Sequence, residues 1–89
     1  MERKEVYKAF DTEREYQEKE TSNPNRPDMI EEFNMGTAMQ ALNVMLGVAG
    51  NIWYTESPEN NYEGTMNMLR KIGGVCTQMG EKYGMPERK

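Results

Sequence analysis

Arg14 and Lys19 bracket Tyr16, and Arg70 and Lys71 stand side by side in the middle of a long helical pattern. A guanidinium next to an aromatic face grips phosphate through forked hydrogen bonds while the ring stacks on a base or purine-like group. Asn43 and Asn51 supply amides that can hydrogen-bond a base edge. The candidate ligand-binding residues are therefore Arg14, Tyr16, Lys19, Asn43, Asn51 and Arg70. Tyr16 would stack, Arg14 and Arg70 would meet phosphate, and the asparagines would read the ring. The same cations also suit a solvated face laced with ion pairs, since Glu15 and Lys19 are four residues apart.

Other chemistry has little to work with. The chain contains no histidine, which removes the commonest general base and the commonest metal ligand together. Cys76 has no base to activate it and sits on an apolar stripe, where a thiol behaves as a small core residue. Ser22 and Ser57 fall in linkers with turn and capping roles. Gly73-Gly74 lies inside a helical pattern and lacks the spacing of a phosphate loop. Asp28, Glu31 and Glu32 share a turn, but the third helix offers Glu59, Glu63 and Glu81 only near its ends. A magnesium site needs acids converging from facing helices. Catalytic residues, metal and cofactor are thus all expected to be none.

Size and composition favour assembly. Eighty-nine residues form one domain (1–89), and hydrophobic residues are only 36% of it, so a single copy buries little. The lone cysteine allows no internal disulfide and fits a reducing, intracellular compartment. Oligomerisation is the remaining remedy. The net charge of −4 argues against a nucleic-acid duplex as partner. MERKEVYK lacks the apolar core of a secretory signal.

Three helices position these groups. The first spans 2–20, with Val6, Tyr7 and Phe10 at helical spacing and Tyr16 half a turn out of phase with Tyr7. A linker over 21–27 follows, broken by Pro24 and Pro27. The second helix spans 28–55, with Asp28 as cap and Glu31 completing a capping box. From Phe33 to Thr55 it carries no Asp, Glu, Lys or Arg, although such residues make up 29% of the chain. The stretch has transmembrane length, but Asn34, Gln40, Asn43 and Asn51 spread amides along it, so the expectation is an enclosed helix and no membrane. Its outer face would be Gly36, Gln40, Asn43, Gly47, Asn51 and Tyr54, and its seam Met35, Met39, Leu42, Leu46, Ala49 and Trp53, widened by Ala38, Met45 and Ile52. The third helix spans 58–83 after Ser57-Pro58, and its stripe runs through Tyr62, Met66, Leu69, Gly73, Cys76, Gly80 and Tyr83, thickened by Ile72, Val75 and Met79, to a stop at Gly84 and Pro86. The expected fold is all-α: an N-terminal helix packed across an antiparallel helical hairpin, assembled as a homo-oligomeric bundle.

AFDTEREYQEKE (9–20) and MLRKIGGVCTQMGEKYGMPERK (68–89) resemble recurring segments of small all-helical proteins of tailed bacteriophages. No activity comes with that resemblance; it implies an infected host cytoplasm and a small accessory protein acting by binding. A fainter similarity is to all-helical pyrophosphohydrolases of the MazG type, which hold magnesium with Glu-x-x-Glu and Glu-x-x-Asp on facing helices. Here Asp28-x-x-Glu31 is the nearest match and no Glu-x-x-Asp exists. The expected function is sequestration of a nucleotide-derived signal used in host defence. The alternatives are inhibition of a host protein by the Gly/Asn/Met face, and a divergent magnesium-dependent pyrophosphohydrolase.

Overall fold

A computed structural model of the chain describes residues 1–25 and 34–89. They form three α-helices and no strand: α1 (Arg3–Thr21), α2 (Met35–Thr55) and α3 (Asn61–Tyr83). No described helix is long and apolar enough to cross a membrane.

Local chemistry sets the ends. At α2 the Asn34 Oδ1 accepts the Thr37 N–H at 2.9 Å, and the Thr37 hydroxyl accepts the Asn34 N–H at 3.1 Å. This reciprocal cap satisfies two donors that the helix leaves open. Asn34 is extended (φ −98°, ψ 176°), so α2 begins at Met35 and does not run unbroken from 28. Asp28 and Glu31, the cap read from the sequence, lie outside the described residues. Before α3, the Ser57 carbonyl accepts from the N–H groups of Asn60 and Asn61 at 2.9 Å each. That turn places the helix start at Asn61, three residues later than the proline signal suggests. Gly84 ends α3 at φ 86°, a conformation that costs a residue with a Cβ.

The helices α2 and α3 run antiparallel. Ala38, early in α2, shares the core with Val75 and Met79, late in α3, and Leu42 and Met45 close over them. At the other end Trp53 meets Tyr62 edge to face, with ring centroids 4.8 Å apart. The Asn61 side-chain amide donates to the Trp53 carbonyl at 3.2 Å, tying the turn to both helices.

α1 packs on the far side of α3. A Cβ built on Gly73 would lie 2.5 Å from the Phe10 ring, and one on Gly74 would lie 2.7 Å from the Gln17 amide. Phe10 and Gln17 are seven residues apart on α1 but touch adjacent residues of α3; α1 therefore lies across α3. Val75 is about 200° round the helix from Gly73. The first and second helices thus occupy opposite sides of α3 and do not approach each other.

The α2–α3 contact uses one edge of the expected stripes. α2 turns Ala38, Leu42, Met45 and Ala49 inward, whereas Met35, Met39 and Leu46 are exposed. On α3, Val75 and Met79 face α2, while Tyr62, Met66 and Tyr83 are exposed. The buried alanines let the two helices approach closely, and spacing alone does not rank two neighbouring stripes of equal period. The outer face of α2, from Gly36 to Tyr54, is exposed at every one of its six positions in the single chain.

Replacing Gly73 by Ala is expected to lower the denaturant midpoint, because the Phe10 ring must move off α3; overpacking of this kind costs about 1–3 kcal/mol. Gly47, which has nothing within 4 Å of its built Cβ, serves as the comparison. Gly47→Ala should leave stability unchanged or raise it by up to about 1 kcal/mol. Urea unfolding of both variants followed by far-UV circular dichroism measures the difference.

Candidate functional site

The inward face of α1 changes character along its length. Phe10, Glu13, Gln17 and Thr21 follow one another at spacings of three and four, so the stripe that starts apolar ends polar. Glu13 is consequently buried, with only 6% of its side chain exposed. Burying a carboxylate requires a partner, and α3 provides one. The Arg70 Nε–H donates to Glu13 Oε1 at 2.9 Å, and the Gln17 amide donates to Glu13 Oε2 at 3.3 Å. Arg70 also donates from Nη1 to Asn67 Oδ1 at 2.7 Å. The same Gln17 amide donates to the Lys71 carbonyl at 3.2 Å.

Beside this pair, Thr12, Glu13, Tyr16, Arg70 and Lys71 line a recess of about 390 Å³ between α1 and α3. Its size falls within the range of small-molecule sites. Tyr16 leaves the inward stripe, as its phase requires, and is 51% exposed at the recess wall. Two of the five N–H donors of Arg70 are taken by Glu13 and Asn67; the rest remain for solvent or a bound group. With Lys71 the lining carries one more positive than negative charge. Such a recess can hold an aromatic group against Tyr16 and an anion against Arg70 and Lys71.

Of the six residues singled out from the sequence, Tyr16 and Arg70 come together here. Arg14 is engaged elsewhere, its Nε–H donating to Glu81 Oε2. Lys19 is exposed and does not line the recess. Asn43 and Asn51 are exposed on α2, the helix α1 does not approach. Lys71, Glu13 and Thr12 complete the lining. Lys71 was legible as Arg70's neighbour, whereas Glu13 was signalled only by its spacing from Phe10 and Gln17.

Among the described residues no group of three or more His, Cys, Asp or Glu could hold a metal ion. Cys76 is half-buried and unpaired on α3. No protein-family model, curated protein or solved structure matches this chain.

Removing one member of the Glu13–Arg70 pair leaves the other without its main partner, so Arg70→Met and Glu13→Gln should each lower stability. The pair is half open on the arginine side, and a coupling of about 1 kcal/mol is expected from the double-mutant cycle. Chemical denaturation of the two single variants and the double variant supplies it.

Proposed function

We propose that this chain acts by binding, and that the recess between α1 and α3 takes a nucleotide-derived anion. The observation that carries the reading is the shared position of the exposed Tyr16 ring with Arg70 and Lys71. Stacking on an aromatic ring tolerates any base and contributes about 1–3 kcal/mol. Charge-assisted hydrogen bonds from a guanidinium suit phosphate oxygens. Glu13 has a defined part in this: it fixes Arg70 from behind through Nε and lowers the net positive charge of the recess. That makes the site selective for a ligand offering a ring as well as an anion.

The phosphate contacts are assigned to Arg70 and Lys71, with Arg14 committed to Glu81. The resemblance to small phage proteins supplies a setting, an accessory protein that withdraws a signalling nucleotide used in host defence. Binding without turnover accords with a chain that has no histidine and no Glu-x-x-Asp to face a Glu-x-x-Glu.

Titration of the purified protein with cyclic and linear nucleotides by calorimetry tests the reading. Heat is expected with at least one of them. Tyr16→Ala and Lys71→Ala should each weaken that interaction by roughly tenfold or more, and added salt should weaken it further. If no nucleotide in the panel produces heat, the assignment is lost.

A further inference from the structure

The structure points to a second copy of this chain seated on one apolar side of the α2–α3 pair, and we propose that the protein is a face-to-face dimer closed through that side. The inference stands apart from the nucleotide reading, since none of the recess residues belongs to this surface.

Three observations carry it. First, the core is thin, because α1 and α2 lie on opposite sides of α3 and do not touch. Helices bury their apolar stripes only when a second layer covers them, and here α3 is flanked by α1 and α2 but roofed by neither. Only Ala38, Ala49, Val75 and Met79 are buried hydrophobic residues among those described. Second, the uncovered side is continuous. Met35, Met39 and Leu46 lie along the flank of α2 that also holds Trp53, and Trp53 packs on Tyr62 of α3. From Tyr62 the surface continues to Met66, at the edge of the groove where α1 meets α3. Leu46 is 61% exposed, Tyr62 67% and Met66 59%. They belong to the stripes legible in both helices, of which the chain uses Leu42, Ala49 and Gly73 internally while Met35, Met39, Leu46, Tyr62 and Met66 stay exposed. Third, the chain as a whole has more surface than a compact monomer of its mass. The chain exposes 7031 Å², against roughly 5,350 Å² for a compact monomer of its 10.3 kDa mass. The excess of about 1,700 Å² exceeds the 800 Å² or so that a standard interface takes from each partner.

Charge selects the occupant. None of the residues named carries an acidic or basic group, so two copies, each with a net charge of −4, can meet there without opposing like charges. A two-fold arrangement places the same patch on both sides, and an uncharged patch is complementary to itself. The closed pair has a central core of methionine, leucine and tyrosine.

Light scattering on a size-exclusion column measures the molar mass in solution. The expected mass of the unaltered protein is twice 10.3 kDa. Leu46→Lys and Met66→Lys should each halve it, whereas Val44→Lys, placed on the opposite edge of α2 and 67% exposed, should leave it unchanged. A mass of one copy, or of more than two, for the unaltered protein overturns the proposal, as does a dimer that survives both lysines or dissociates with Val44→Lys. If a lysine variant unfolds on dissociation, the thermal midpoint of the unaltered protein decides. It should rise with protein concentration, and a midpoint independent of concentration defeats the inference. A host protein displacing one copy in a one-to-one complex with this face also counts against it.

Discussion

The contact of Phe10 with the backbone of Gly73 sets the position of α1. A flat ring can lie against α3 there because Gly73 carries no side chain, and Gly74 admits the Gln17 amide beside it. With those two points fixed, Glu13 can only face α3, where Arg70 meets it. Tyr16, rotated off that stripe, can only stand at the edge. The recess is thus a product of two glycines that carry no chemistry of their own. Two glycines inside a helix cost about 1 kcal/mol each relative to alanine, and what they allow here is a helix crossing with a polar contact at its centre.

The three helices were legible from their punctuation. Pro24 and Pro27, the Ser57-Pro58 step, and Gly84 with Pro86 mark the breaks, and the described helices end close to them. The phase of packing was harder to read. Met35, Met39 and Leu46 share the expected stripe with Ala49 and, at its edge, Ala38, yet only the two alanines are buried, because they let α3 approach closely. Size and proximity pull in opposite directions, and a set of apolar positions records only size. The Asn34–Thr37 cap that opens the described α2 was not read, because it uses less familiar partners than a capping pattern such as Asp28 with Glu31.

Half of the candidate site followed from sequence and half required the fold. Tyr16 announced itself by being out of phase, and Arg70 by sitting among apolar neighbours. Glu13 did not, because a glutamate on a helix rich in carboxylates looks solvated until the opposite helix is in place. Asn43 and Asn51 were grouped with Tyr16 by chemical type alone. That α1 and α2 occupy opposite sides of α3 is a property of the tertiary arrangement that residue spacing does not record.

The two sides of α3 are held by different forces. Toward α2 the contacts are alkyl and aromatic groups, whose attraction fades on cooling. Toward α1, beyond Phe10, they are an ion pair, an amide bridge and the half-open Arg14–Glu81 pair, of which the more exposed pair is weakened by dissolved electrolyte. Cold and salt therefore act on opposite edges of the molecule. Chilling slackens the hairpin, whereas a saline medium loosens the amino-terminal arm and leaves the hairpin intact.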